Sequence, residues 1–159
     1  MKIFFRLFVL SLLVCSCNKP QTYPMTIVTE NGDVMYQVEL ATTDEQLRTG
    51  LMNRTHLDSD SGMIFDFSDK PDLPTIMWMK NTLIPLDMLF VTREGIIYWI
   101  QENAQPHSEE FITPPFPATA VIEINGGDVA KHQIKVGQIV KYPLFPPLKL
   151  RNSENFSEK

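Results

Sequence analysis

The chain has 159 residues, 43% of them hydrophobic and 21% charged, with 14 basic against 19 acidic side chains and a formal charge of −5 at pH 7. That is enough chain for one domain with its own core, and an acidic balance with no Lys/Arg cluster argues against nucleic acid as a partner. Both cysteines, Cys15 and Cys17, fall near the start, so the rest of the chain has no thiol for a disulfide, a thiolate metal site or a cysteine nucleophile.

Residues 1–17 read MKIFFRLFVLSLLVCSC. Lys2 and Arg6 come ahead of the apolar stretch Leu7–Val14, and small residues follow, the pattern of a secretory leader. The stretch is too short to span a bilayer, which takes about 20 apolar residues. Val14-Cys15-Ser16-Cys17 resembles a bacterial lipobox with Cys17 as the acylated residue. The plainer alternative is an ordinary cleaved leader with two incidental cysteines. The lipobox reading predicts a signal peptide over 1–16, a lipidated tether over 17–23, a globular domain over 24–145 and a polar tail over 146–159. Two or three acyl chains anchor stably where one binds only marginally. The expected location is therefore the cell envelope, outside the cytoplasm, held to a membrane through Cys17. Loss of Lys2 and Arg6 with the leader takes the formal charge from −5 to −7.

Strand signals begin at Met25. MTIV and VMYQVEL flank Glu30-Asn31-Gly32-Asp33 and read as a hairpin. Thr42 with Glu45 and Thr43 with Gln46 are alternative capping boxes for a short helix over Thr43–Leu51. GMIFDF is a strand. Thr75–Lys80 and Asp87–Thr92 read as two strands joined across Leu83-Ile84-Pro85. After the Arg93-Glu94-Gly95 turn, IIYWIQE is another strand. Asn103–Pro117, with four prolines, is an irregular loop. TAVIEI is a strand, Gly126-Gly127 breaks it, DVAKHQI is a helical turn or two, and VGQIVKY is the last strand. The predicted fold class is mainly β (α+β). It is a compact, mainly antiparallel barrel-like or rolled sheet of about seven or eight short strands with one or two short helices.

The segment TIMWMKNTLIPLDMLFV holds Lys80 and Asp87 in the most apolar part of the chain. A lone buried charge costs several kcal/mol unless paired. If Lys80 faces Asp87 across the predicted hairpin, Trp78 faces Leu89 and Ile76 faces Val91. Opposite charges across an antiparallel pair stabilise it. The two residues are then either a clasp that fixes register or, with Asn81 and Trp78, part of a site. Glu123, in Ala120-Val121-Ile122-Glu123-Ile124-Asn125, shares a face with Val121 and Asn125. It is either solvent-facing on an edge strand or buried in the same site. Gly126-Gly127 ahead of Asp128 is a weak anion-site signal. Arg48 and Arg54 around Gly50-Leu51-Met52 could bind an anion, although surface ion pairing is the plainer reading. His56, His107 and His132 show no ligand spacing, and the methionines near the motifs read as core filling rather than copper ligands. No catalytic residue, metal site or cofactor is assigned.

These same residues carry a resemblance. Arg48-Thr49-Gly50-Leu51-Met52-Asn53-Arg54, Gly62-Met63-Ile64-Phe65-Asp66-Phe67, the run from Trp78 to Asp87, WMKNTLIPLD, and Val121-Ile122-Glu123-Ile124-Asn125-Gly126-Gly127 occur in this order. In this they resemble the bacterial and archaeal family called domain of unknown function 192, over about Tyr23–Tyr142. Met77 stands where an aromatic is common in that family, and Gly126 where an alanine is frequent. The resemblance implies frequent export and no established activity.

Three functions remain open. The first is a binding module for a small polar or anionic ligand or a peptide end, at Trp78, Lys80, Asn81, Asp87 and Glu123. The second is a hydrolase-type enzyme with Asp87 or Glu123 as general base and Lys80 as electrostatic stabiliser. The third is a structural or assembly factor in which the motif only shapes the fold. The expected partners are the membrane and a small molecule or peptide, and the expected state is a monomer.

Overall fold

The computed structural model describes residues 20–146. The signal peptide, Cys17 and residues 147–159 of the expected tail lie outside them. The fold is mostly β. Seven strands form one sheet in the order β5-β4-β6-β3-β2-β1-β7, curled into a half-barrel, with two short helices.

The opening hairpin forms where the Asn-Gly signal places it. β1 (Thr22–Thr29) and β2 (Gly32–Ala41) pair antiparallel from Thr29–Gly32 back to Thr22–Glu39. β1 thus takes in Thr22 and Tyr23, which were expected in the tether. α1 (Asp44–Thr49) uses the second of the two expected capping boxes: Gln46 N–H donates to Thr43 Oγ1, and the Gln46 side chain accepts from the Thr43 N–H. A long crossover then brings β3 (Ser61–Asp66) beside β2 in parallel, the one departure from antiparallel pairing in the sheet.

β4 (Leu86–Val91), β5 (Ile97–Ala104), β6 (Ala120–Asn125), α2 (Asp128–His132) and β7 (Ile139–Lys141) complete the order. The outer strands of the series approach each other at one end. Ile96 bridges Ile139, and Ile97 N–H donates to the Gln138 carbonyl at 2.9 Å.

Residues 75–80 depart from expectation. They are not a strand paired to β4, because β5 and β6 already occupy both edges of β4. The segment crosses the outer face of the sheet instead, touching the proline-rich loop through an isolated Met77–Ile112 bridge. Its outward side chains, Ile76 and Trp78, alternate with the buried Met77 and Met79.

Two apolar clusters lie on the two faces. The inner one draws on all seven strands, for example Ile27, Val38, Ile64, Leu89, Ile97, Ile122 and Val140, and so fills the curl; α2 adds Val129 to it. The outer one combines Met63, Phe65, Met88, Phe90 and Val121 of the sheet with Leu51, Leu57, Met77, Met79 and Ala118 of the covering loops. The side chains of each strand alternate between these clusters, as pleating requires.

Candidate functional site

Asp87 and Glu123 sit on opposite faces of the sheet. Asp87 pairs with Ile124 and Met88 with Glu123 along the β4–β6 ladder, so Asp87 shares the inner face with Ile124 while Glu123 points outward. The structure therefore separates the two carboxylates that the sequence placed in one site. It also removes the Lys80–Asp87 clasp and its Trp78–Leu89 register.

Asp87 is completely buried. Its Oδ1 accepts from Asn103 N–H at 2.7 Å, and its Oδ2 accepts from Gly127 N–H at 3.0 Å and Val129 N–H at 2.8 Å. Backbone amides take the place of the expected lysine. Gly127 caps α2 with φ 93°, a left-handed conformation that costs glycine nothing and turns its N–H toward the carboxylate. Asp87 thus ties the end of β5 and the start of α2 to β4. With both oxygens engaged by backbone amides, it is badly placed to act as a base.

Lys80 lies on the surface. Its Nζ is 3.8 Å from Glu109 Oε2 and 5.4 Å from the centre of the Trp78 ring. Asn81 is a turn residue with φ 54°, a left-handed conformation that asparagine tolerates better than most residues, and its carbonyl accepts from Asn53 N–H at 2.8 Å. That bond fastens the loop after α1 to the WMKNT segment.

Glu123 is on a central strand rather than an edge, and only 4% exposed. Its neighbours across β3 and β4 are Met63 and Met88, both buried. Among the described residues its carboxyl group forms no hydrogen bond. It opens instead into a small recess where four segments distant in sequence meet. These are the end of α1 from Arg48 to Met52, Phe65 of β3, the crossing segment with Ile76, Trp78 and Thr82, and Glu123 itself. The recess offers about 30 Å³ to the centres of water-sized groups, room for one or two such groups.

Gly50 shapes the recess. Its φ of 45° and ψ of −128° suit glycine, and a Cβ there would stand 2.8 Å from Cζ of Phe65 and 4.0 Å from Oε2 of Glu123. A side chain at residue 50 would strain the backbone and push into the space between ring and carboxyl.

Burial pushes the Glu123 carboxyl up to about 8, against a smaller opposing pull from Arg54. The charged form loses its water shell there and gains no hydrogen bond in return. At neutral pH the group is mostly a neutral acid. Arg54 does little to change this because it is committed elsewhere: it forms a bidentate pair with Glu39, with Nη2 donating to Oε2 at 2.7 Å. Arg48, by contrast, is exposed at the rim and forms no ion pair among the described residues.

Of the five residues expected at one site, the structure brings Trp78 and Glu123 to the recess, sets Lys80 and Asn81 just beside it, and places Asp87 behind the sheet. Sequence reading missed Gly50, Phe65 and Thr82. Gly50 right after a capped helix was a signal, though it points equally to an ordinary helix stop. Among the described residues no cluster of three or more His, Cys, Asp or Glu side chains is placed to hold a metal ion.

The family model DUF192, described as "Uncharacterized ACR", matches residues 26–142. A crystal structure of a protein of unknown function from Novosphingobium aromaticivorans DSM 12444 is similar, with 37% identity and a TM-score of 0.73, over 80% of this chain and 89% of that one. So is that of a proposed transcription regulator from Sinorhizobium meliloti 1021, with 40% identity and a TM-score of 0.71, over 76% of this chain and 92% of that one. Among curated proteins none matches. Motif order, the extent of the match and these two neighbours agree: the chain belongs to the DUF192 family.

Proposed function

We propose that this protein is a lipid-anchored binding module of the bacterial cell envelope, and that the recess over Glu123 receives a small polar molecule or the end of a peptide. The observation that carries the binding reading is the Glu123 carboxyl group. It is buried on a central strand, free of hydrogen bonds and open to the recess. With no donor from the protein, the carboxyl is left to bond with whatever enters the recess, water included, and a ligand that brings donors gains from it. The recess walls come from all four motifs that mark the family. Trp78 lines it, Lys80 and Asn81 lie beside it, and Asp87 is on the other face of the sheet.

The anchoring part rests on the sequence, on the lipobox ending at Cys17. β1 starts at Thr22, so a lipid on Cys17 would hold the domain within about 20 Å of the membrane, given about 3.4 Å per extended residue. No helix among the described residues is long and apolar enough to cross a membrane. The regulator description of the Sinorhizobium protein is not extended to this chain, whose acidic balance is ill suited to nucleic acid.

Ligand-observed NMR of the full chain with small amines, carboxylic acids and short peptides tests the binding reading. The expected result is saturable binding of at least one class that is lost in Gly50→Ala, which fills the recess. Absence of binding by every class, or binding unaffected by Gly50→Ala, would overturn it.

A further inference from the structure

The recess has features that select among ligand chemistries. Its inner space admits a head group of one or two heavy atoms, not a whole molecule. Its floor is an acid with no donor from the protein. Thr82 adds no free donor at the floor, since its hydroxyl is within 3.4 Å of the Lys80 carbonyl. Outside, the Trp78 ring faces Phe111 at 6.3 Å between centres, and Ile76 and Phe111 are 52% and 68% exposed. The mouth is thus bordered by apolar and aromatic surface on the Ile76–Trp78 side, with Phe111 next to Trp78, and by Arg48 and Thr49 on the other, while the floor offers an acid without a protein donor.

We infer that the recess binds a primary ammonium group carried on an apolar or aromatic body, with the ammonium group on the Glu123 carboxylate and the body on Ile76, Trp78 and Phe111. This rests on the binding reading above and names its ligand class. An ammonium nitrogen is about the size of one water and brings up to three donors to a carboxyl that lacks any. A carboxylate head would need more room and would meet an acid that offers it one proton at most.

The charged groups around Glu123 are Arg54, paired with Glu39, Arg48 at the rim, and Lys80 beside Trp78 outside the recess, paired with Glu109; within the sheet its flanking neighbours are the uncharged Met63 and Met88. Its carboxyl is mostly protonated in the empty protein below about pH 8. An arriving ammonium ion therefore displaces one proton: the O–H bond of Glu123 breaks, the proton leaves to solvent, and the ion pair takes its place. Affinity should rise about tenfold per pH unit between pH 5.5 and 7 and level off above the carboxyl's own titration.

The test is calorimetry on the full chain in detergent micelles, with phenethylammonium and its anionic counterpart 3-phenylpropionate as probes, in two buffers of different ionisation enthalpy. The expected result is binding of the amine only, with close to one proton released at pH 6.5 and at least tenfold weaker binding in Glu123→Gln. Tripeptide Phe-Gly-Gly against its N-acetylated form separates a peptide N-terminus from a free amine as the source of the group. Binding of phenylpropionate in preference to the amine would overturn this inference and leave the binding module standing. Binding of neither probe, with none of the peptides bound, would remove both. Amine binding without proton release, or unchanged in Glu123→Gln, would also overturn it.

Discussion

Replacing Asp87 with alanine should cost about 3–5 kcal/mol of stability, and changing Lys80 as well should recover none of it. Three backbone amides converge on the Asp87 carboxylate. A hydrogen bond to a charged group contributes about 1.5–3 kcal/mol. Simple addition overshoots, because the Asn103 and Gly127 amides are only partly buried and water can reach them once the carboxylate is gone. The Val129 amide is fully enclosed, and its desolvation alone accounts for about 1–3 kcal/mol. Asp87→Asn should be nearly as damaging, since its amide nitrogen would face backbone donors. Urea unfolding followed by circular dichroism measures the loss, and hydrogen exchange should show the amides of Asn103, Gly127 and Val129 losing protection. The double variant Asp87→Ala with Lys80→Met is the decisive control, because an ion-pair clasp would be partly rescued by it. A loss under about 1 kcal/mol, or recovery of half the loss in the double variant, would refute the assignment of Asp87 as a backbone anchor.

Other outcomes follow from the same geometry. Glu123 has a folded value near 8 against 4.5 unfolded. Its contribution is fully present below about pH 4.5 and is lost as pH rises toward 8, at up to 1.36 kcal/mol per pH unit. Stability of the native protein relative to Glu123→Gln should therefore fall by a few kcal/mol between pH 5 and 8, and a pH-independent difference would contradict the burial. Lys80→Ala should change stability by less than about 1 kcal/mol, since its pair with Glu109 is exposed; a larger loss in chemical denaturation would mean Lys80 has a partner the structure does not give it. Cys17→Ser should release a soluble form or leave an uncleaved precursor, and unchanged membrane fractionation together with unchanged lipid labelling would exclude the anchor.

Much of the fold was legible because local signals and pleat alternation agree. Asn31-Gly32, the Thr43–Gln46 box and the apolar runs at Ile64, Leu89 and Ile122 each state their structure within a few residues. The facing of Glu123 with Val121, away from Ile122 and Ile124, also followed from alternation alone. The site was less legible because strand partnership is a long-range choice. Residues 75–80 have strand composition, and a hairpin to β4 was the nearest partner in sequence. β6, which begins 29 residues after β4 ends, takes that edge instead, and with it the inferred Lys80–Asp87 pair disappears. The same competition decides Glu123, whose burial depends on β6 lying between β3 and β4. The partners of Asp87 were hidden for another reason. They are backbone amides, which every residue but proline carries, so no residue type announces them.

The central claim is that Glu123 is a buried acid held without a partner at the floor of an open recess. Carbon-13 NMR of the side-chain carboxyl groups, with Glu123 assigned by comparison with Glu123→Gln, tests it through a single titration curve. A midpoint near 8 that moves down when phenethylammonium is added is the expected result. A midpoint near the ordinary 4.5, unmoved by any ligand, would contradict it.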